Sequence, residues 1–457
     1  MSIQVPEKVN SIIETLLQHG FEAYAVGGCV RDSLLNREAD DWDITTSASP
    51  YEVKELFRRT IDTGIQHGTV TVMLDKEGFE VTTYRIDGEY EDGRHPKEVL
   101  FTKNLEEDLK RRDFTINAMA YNEQTGMVDI FGGVKDLENK IIRCVGVAGD
   151  RFDEDALRIM RAFRFSAQLG FTIEENTRIA AAERAENLKK ISAERIRVEL
   201  TKLLLSAYPD RLLWMQQNGV TKIVLPEFDA MLVRNLRENE YEYNAGEYTV
   251  KVIEQVGTEG TWSKKELQML RFAALLHQVV QSELLAADCR EKQCLSNCGE
   301  LGAKKAKEVM RRLKFDNETT DMVARLVAVH DNVMELSHSR EENLAAMRHR
   351  MHHLGPDMME LLFELQRAKI VSGNPENTEA KMGVLEEIKA LYNEVVTNGD
   401  CVSLKQLAVN GKDIIGIGAA PGKHLGEILE QLLQKVLDNP ALNQKAILLS
   451  LAKEHIQ

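Results

Sequence analysis

Residues 40–45 constrain this chain most, because they place two carboxylates two positions apart in a stretch that predicts a short strand. Side chains alternate between the two faces of a strand, so Asp41 and Asp43 point to one side and Trp42 points to the other. Neighbouring carboxylates repel each other unless a cation lies between them. Magnesium prefers such oxygen ligands and shares them with substrate phosphates, so the pair predicts an Mg2+ site. A solvated turn is the alternative interpretation.

A predicted strand, a glycine pair and a helix precede the two aspartates. Residues 21–26 are apolar and β-like, Gly27-Gly28 follows, and the helix begins near Arg31. Glycines at such a junction let backbone amides approach a phosphate at the helix N-terminus. Arg31 opposes the helix dipole in the first turn, which indicates a bound anion, although Asp32 could instead pair with it.

Two further features follow the aspartates. Residues 79–84 predict another strand, in which Glu80 either supplies a third carboxylate to the same cation or faces solvent. Residues 86–100 show no regular period and predict a polar loop between candidate site elements.

Adjacent arginines, Arg111 and Arg112, precede an apolar segment that predicts a helix. A planar guanidinium is well shaped to hold a triphosphate. The alternative is ion pairing on a helix surface with the three acidic residues at 106–108.

A basic helix is predicted after residue 150. Asp155 and Arg158 are three residues apart and are expected on one helix face, with Arg161 and Arg164 continuing a basic stripe. A carboxylate accepts from the exocyclic amine of cytosine or adenine, and an arginine donates to ring nitrogens or carbonyls. The pair therefore indicates a reader of a base edge. The alternative is an amphipathic helix in which Asp155 and Arg158 pair with each other.

Length and composition bound the class of protein. A chain of 457 residues is too long for one core and predicts several domains. It has no apolar run long enough to span a membrane, and six cysteines without a signal peptide predict a cytoplasmic protein. The net charge of -15 by itself argues against a nucleic-acid binder, but local patches decide such binding.

The helical second half carries weaker signals. His277-Gln278 resembles part of a metal-dependent His-Asp hydrolase site, but a glutamine cannot supply the anionic ligand, and His330-Asp331 is expected at a helix end. Residues 409–426 combine glycines, lysines and helix starts, which fits either a phosphate backbone or a pair of turns.

Three cysteines lie close together in this half, at Cys289, Cys294 and Cys298. Their spacing is not that of a zinc site and no fourth cysteine is near, so zinc is not expected and their role stays open.

The motifs carry a family resemblance when they are taken together and in order. They are Gly27-Gly28-x-Val30-Arg31-Asp32, Asp41-x-Asp43, Arg111-Arg112-Asp113-Phe114-Thr115-x-Asn117-Ala118, Asp129 to Asp136, Glu154-Asp155-x-x-Arg158 and Glu194-Arg195-Ile196. The chain resembles the bacterial class II tRNA nucleotidyltransferases, the CCA-adding enzymes, which share their head with bacterial poly(A) polymerases. The resemblance is strongest over residues 20–205 and returns at 407–430.

The resemblance implies an α+β fold, in which a small N-terminal mixed-sheet nucleotidyltransferase head of the polymerase-β type precedes an all-α neck, body and tail. The implied bounds are 1–138 for the catalytic head, 139–210 for the base-recognising neck, 211–375 for the body with its degenerate His-Asp-like region, and 376–457 for the tRNA-binding tail.

The implied activity is template-independent addition or repair of the 3′-terminal CCA of tRNA from CTP and ATP, with release of pyrophosphate and with Mg2+ as cofactor. The implied partner is the acceptor arm and 3′ end of tRNA, with no membrane, and a homodimer is left open. Asp41 and Asp43 are the expected catalytic and metal-binding residues. The expected nucleotide-binding residues are Gly28, Arg31, Arg112, Asp155, Arg158, Arg161 and Arg164.

Three rival functions stay open at this point: a poly(A) polymerase, an A-adding partner of a split CC/A pair, and a catalytically silent RNA-binding protein. Intact Asp41 and Asp43 argue against the silent protein, and Ala156 favours a CCA enzyme over a polymerase, which often has proline there. Loop 86–100 matches a family loop associated with addition of the final A, which argues against an enzyme that adds only CC.

Overall fold

The structure is a computed structural model that describes residues 3–39, 41–88, 99–233, 244–280 and 298–454. The chain divides into two compact units, Met1–Ala230 and Met231–Gln457. Elements are numbered below in chain order within the described residues.

The first unit contains a mixed sheet built from seven of the described strands, in the order β3-β4-β5-β2-β1-β8-β9. Only β2 and β5 run parallel among these neighbours, and the other pairs are antiparallel. The strands are β1 (Ala23–Val26), β2 (Ile44–Thr46), β3 (Thr60–Gly64), β4 (Thr69–Leu74), β5 (Glu77–Thr83), β8 (Ala120–Asn122) and β9 (Gly126–Val128).

Short strands outside this sheet form two further pairs. β6 (Arg85–Asp87) pairs with β7 (Val99–Phe101), and β10 (Ile141–Ile142) pairs with β11 (Thr172–Ile173). The expectation of an aperiodic loop at 86–100 is therefore wrong at both ends, where strand pairing satisfies the backbone hydrogen bonds. Residues 89–98 of that loop lie outside the described residues.

Helices α1 to α11 belong to the first unit, and their apolar faces cover the sheet and each other. They are α1 (Glu7–Gln18), α2 (Gly28–Leu34), α3 (Pro50–Leu56), α4 (Leu105–Lys110), α5 (Gly133–Glu138), α6 (Ala148–Glu154), α7 (Leu157–Leu169), α8 (Glu175–Glu183), α9 (Ala193–Leu204), α10 (Arg211–Gln217) and α11 (Thr221–Val224). Residues 115–117, expected to begin a helix, instead form one 3-10 turn. Helix α12 (Pro226–Leu232) crosses the boundary between the units.

The second unit is helical throughout its described residues. Its helices are α13 (Ala245–Gln255), α14 (Lys264–Leu276), α15 (Cys298–Arg312), α16 (Asn317–Val329), α17 (Arg340–Leu354), α18 (Pro356–Val371), α19 (Thr378–Asn398), α20 (Gly411–Gly416), α21 (Lys423–Asp438) and α22 (Lys445–Lys453). One apolar core joins Met347 and Phe363 to Leu391, Leu432 and Leu448.

The sheet-then-helices architecture confirms the predicted α+β class. The finer division at 138/139, 210/211 and 375/376 stays a prediction. Among the described helices, none is both long and apolar enough to cross a bilayer. Cys298 is the first residue of α15, and the other two members of its sequence cluster, Cys289 and Cys294, lie outside the described residues.

Candidate active site

The predicted aspartates lie immediately before β2 rather than within it, because the strand begins at Ile44. Their neighbour is β5, since the parallel register pairs Ile44 with Val81 and so brings Asp43 beside Glu80. The alternation of β5 buries Phe79 and Val81 and leaves Glu80 on the opposite, exposed face. The strand register therefore places Asp43 and Glu80 side by side next to the start of β2. Neither of the two sequence stretches predicts this proximity by itself.

These carboxyls lie close enough to affect one another's ionisation. Partial desolvation raises the pKa of Asp43, and the charge of Asp41 raises it further, while the guanidinium of Arg112 lowers it. Desolvation also raises the pKa of Glu80, and both aspartates add to that shift. Mutual repulsion of this kind is what a bound divalent cation relieves.

The donor set fits a divalent cation that shares its ligands with a substrate. Carboxylate oxygens are hard ligands suited to such ions. Within the described part of the chain, no three His, Cys, Asp or Glu side chains converge closely enough to enclose a metal ion. Asp41 and Asp43 would thus hold one side of the ion and leave the rest of its shell to phosphate oxygens or water.

Arg112 lies between the glycine turn and the aspartates. Gly27 has a φ of +84°, and a Cβ there would lie 2.9 Å from Arg112 Nη1, so only glycine allows this approach. Asp108 holds the arginine at 3.6 Å, and Thr45 donates a 3.1 Å hydrogen bond to the same carboxylate. The Nε of Arg112 is buried and has no hydrogen-bond partner among the described residues. An N–H donor that has no partner and lies beside the carboxylates suits a phosphate oxygen as its acceptor.

Asp108 is the residue on which both predicted arginines converge. It is fully buried and lies 2.8 Å from Arg111. Burial alone would raise the pKa of Asp108, but the two guanidiniums more than offset it and hold the pKa below its ordinary value. The alternative interpretation of ion pairing along the helix is correct for Asp108, and Arg112 still faces the site.

Arg31 is buried and its donors are used within the protein. Nε and Nη2 bond the carboxylate of Asp32 at 2.9 and 2.7 Å, and Nη1 donates to Asn117 at 2.6 Å. The local pairing with Asp32 therefore offsets the helix dipole. Gly28 begins α2, and a Cβ there would lie 3.7 Å from Arg31 Nη2.

The expectation that Asp155 and Arg158 lie on one helix face is wrong, and so is the alternative that they pair with each other. Asp155 ends α6 in an extended conformation, ahead of α7, and its Oδ1 accepts a 3.0 Å hydrogen bond from the Leu157 amide. Its Oδ2 accepts a 2.7 Å bond from Arg195 on α9. Arg158 instead pairs with Glu154 at 2.6 Å. The break between α6 and α7 separates the two side chains, and sequence spacing alone does not show it.

The remaining arginines of α7 are also paired. Arg161 binds the buried carboxylate of Asp113 at 2.6 Å, and Arg164 binds Glu199 at 2.8 Å. Burial would raise the pKa of Asp113, but Arg161 and the Asn117 amide outweigh it and hold that pKa well below its ordinary range. The basic stripe is thus a set of buried and partly buried ion pairs rather than a free cationic surface.

Phe165 lies among three of these guanidiniums. The Cζ atoms of Arg31, Arg161 and Arg164 lie 4.9, 5.3 and 3.6 Å from its ring centroid. Cations over an aromatic face are attracted by the ring quadrupole, so Phe165 links α2 to α7. Neither Phe165 nor the acidic partners Asp113 and Glu199 were predicted as site residues.

Family models match most of the chain. The poly(A) polymerase head domain matches residues 23–143, a probable RNA- and SrmB-binding site of polymerase A matches 170–232, and a putative tRNA nucleotidyltransferase domain 2 matches 293–452.

Curated relatives agree with these models. The CCA-adding enzyme of Lactobacillus delbrueckii subsp. bulgaricus is 58% identical over 194 residues, which are 42% of this chain and 49% of that enzyme, so this alignment spans about half of each protein. The CCA-adding enzyme of Levilactobacillus brevis is 34% identical over 450 residues, 97% of this chain and 96% of that enzyme. That of Enterococcus faecalis is 34% identical over 449 residues, 97% of this chain and 94% of the relative.

A solved structure shares the fold over nearly the whole length. The Bacillus stearothermophilus CCA-adding enzyme in complex with CTP superposes with a TM-score of 0.71 at 29% identity, covering 99% of this chain and 98% of that one. The Thermotoga maritima CCA-adding enzyme complexed with tRNA shares the fold at a TM-score of 0.60 and 21% identity, over 99% of this chain and all of that one. The 34% identity to curated relatives over nearly the full length shows that this chain belongs to the family of CCA-adding enzymes, which are tRNA nucleotidyltransferases.

Proposed function

We propose that this chain adds the 3′-terminal CCA to tRNA from CTP and ATP, with Mg2+ held by Asp41 and Asp43 and without a nucleic-acid template. The supporting observation is the carboxylate pair before β2, faced by Arg112 over Gly27. Family membership supports the activity and implies a divalent metal. The choice of Mg2+, the residue roles and the tRNA contacts are our proposals.

The reaction forms one bond and breaks another. The primer 3′ oxygen attacks the α-phosphorus of the nucleotide, the bond to the β-phosphate oxygen breaks, and pyrophosphate leaves while the hydroxyl proton passes to solvent. A divalent cation bound by the two aspartates would acidify the hydroxyl, orient the α-phosphate and neutralise charge on the leaving group. Arg112 would donate to the triphosphate through its guanidinium, which has an unsatisfied N–H within the described protein.

Base choice is assigned to the junction of α6 and α7. A carboxylate has acceptor capacity beyond the two bonds that Asp155 already makes, so it could accept from the exocyclic amine of C or A while Arg195 holds it. Arg158 would donate to the base and would exchange its present bond to the Arg111 carbonyl, 2.9 Å away, to do so. Uracil and guanine present the opposite pattern at these positions.

Contacts to tRNA are proposed for the tail. Asn410 caps α20 by accepting from the amides of Lys412 and Asp413 at 2.9 and 3.4 Å, so that helix start is already satisfied by the protein. A phosphate would therefore be gripped by exposed side chains such as Lys423, whose side chain is 94% accessible.

Primer extension on three tRNAs tests the activity: one ends at the discriminator base, one in C and one in CC, each with CTP, ATP or both. We expect CC from CTP, a single A from ATP on the CC-ended tRNA, and no use of UTP or GTP. Addition of A alone would make the chain an A-adding enzyme, and long ATP-dependent tails on any RNA would make it a poly(A) polymerase.

The metal assignment is tested by Asp43→Asn, which should abolish transfer and leave tRNA binding intact. Asp75→Asn is the matched control, because Asp75 is an exposed aspartate of the same sheet, in the turn between β4 and β5, and should retain activity. Retained turnover in the Asp43 variant would refute the assignment.

A further inference from the structure

A cavity of about 380 Å³ lies inside the second unit, among the ends of α13 and α16 and the facing sides of α18 and α19. We name it the α18–α19 cavity. Its apolar wall is formed by side chains from α18, α19 and the loop after α16, namely Ile370, Val384, Leu385 and Val333. A volume of this order accommodates a small organic ligand.

On the polar side of the cavity, His330 packs against a histidine from a stretch that is far away in sequence. His330 ends α16 and lines the cavity, and its ring lies 5.3 Å from that of His277, at the end of α14. Each ring bonds a backbone carbonyl through Nδ1, at 2.7 Å for His277 and 2.8 Å for His330. Burial lowers the pKa of both, so the pair contributes neutral imidazoles rather than positive charge.

Positive charge comes instead from two lysines. Lys369 on α18 is largely buried and pairs with Asp331, which follows His330. Lys381 on α19 lines the same cavity and makes no ion pair with the described residues. Burial lowers the pKa of Lys369, the paired carboxylate of Asp331 partly offsets this, and the positive charge of Lys381 adds a smaller lowering. With one carboxylate against two ammonium groups, the lining carries a net single positive charge.

We propose that the α18–α19 cavity binds a small organic anion, with its phosphate or carboxylate group between Lys369 and Lys381 and its apolar body against Ile370 and Val384. This site is independent of the nucleotide-transfer site, and its test does not depend on the proposed transferase activity.

The experiment follows the δ1-methyl NMR signal of Ile370 in the full chain, assigned by its loss in Ile370→Val. The probes are adenosine 5′-monophosphate, 1-naphthoate and the neutral 1-naphthalenemethanol. Because the methyl group lines the cavity, nucleotide bound elsewhere does not mimic occupancy there. We expect a saturable shift with at least one anion and a weaker response to the alcohol. Saturation by the nucleotide would identify a phosphate ester, and saturation by naphthoate alone would identify a carboxylate.

Matched variants test the charge and the shape. Lys381→Gln should weaken anion binding by up to about fivefold, which is the contribution of one unit charge at 4 Å in bulk water, because Lys381 is exposed. Lys389→Gln, on the same helix but paired with Glu386 outside the cavity, should leave the affinity unchanged. Val384→Trp, at a position 40% exposed, should fill the mouth and abolish the shift without disturbing the core.

Equal binding of the alcohol and the anions, an unchanged affinity in Lys381→Gln, or a shift that persists in Val384→Trp would overturn the proposal. The absence of any saturable shift up to the solubility limit of each probe would overturn it as well.

Discussion

The buried ion pair between Arg164 and Glu199 gives a prediction whose size follows from the structure. The two side chains are 7% and 6% exposed and meet at 2.8 Å, where α7 packs on α9. Glu199→Gln keeps the size and an acceptor for Arg164 Nε but removes the negative charge. The guanidinium keeps a hydrogen bond to Gln168 at 2.8 Å, yet its charge becomes uncompensated in the interior.

Removing one partner of a buried pair costs about 3–5 kcal/mol, and the retained hydrogen bonds place this variant near the lower figure. For a unit of the size of Met1–Ala230, a loss of about 3 kcal/mol corresponds to a fall in Tm of roughly 6–12 °C. Replacing both residues, in Arg164→Leu with Glu199→Leu, should restore much of the stability, because no charge is then left buried.

Thermal unfolding followed by circular dichroism measures these changes. The matched control is Glu175→Gln, which removes the acid of an exposed pair with Arg178 at the same short distance, 2.7 Å. Exposed pairs contribute about 0–1 kcal/mol, so its Tm should change little. Equal Tm values for the Glu199 and Glu175 variants would refute the reasoning. A double variant with a lower Tm than Glu199→Gln would refute it as well.

Three other perturbations test the site. Gly27→Ala should cost about 1–3 kcal/mol from its φ of +84° and raise the KM for nucleotide by displacing Arg112, whereas Gly126→Ala, with φ +81° and open space, should leave KM unchanged. The native pKa of Asp43 is raised, so ionisation of Asp43 destabilises the fold progressively as the pH rises from the unfolded-state pKa to the native pKa, and fully above it. Asp43→Asn should therefore raise the metal-free Tm at pH 7, and a gain in Tm that does not shrink in acid would contradict this. Arg195→Ala frees Asp155 and should reduce discrimination against UTP and GTP about tenfold in single-nucleotide extension, while unchanged discrimination would remove Arg195 from the positioning role.

The carboxylate cluster also shows which residues of the candidate site stand out in the sequence and which do not. Asp41, Asp43 and Arg112 stand out because charged residues beside β-like and glycine-rich stretches are costly unless a ligand needs them. Their supports, Asp108, Asp113 and Glu199, look like ordinary surface acids in the sequence. Only packing shows that these three are buried, and burial turns each into an obligatory partner of an arginine.

The chain order of motifs determined the family resemblance, and the change from β-like to helical patterning determined the α+β class, because both are local properties of the sequence. Tertiary structure alone decided the partners. The parallel register of β2 and β5 places Glu80 beside Asp43. Because the helix breaks between α6 and α7, Asp155 pairs with Arg195 and Arg158 pairs with Glu154. The meeting of His277 with His330 likewise depends on helices far apart in sequence. A side chain's partner is set by which elements pack together, and spacing along the chain carries that information only within one element.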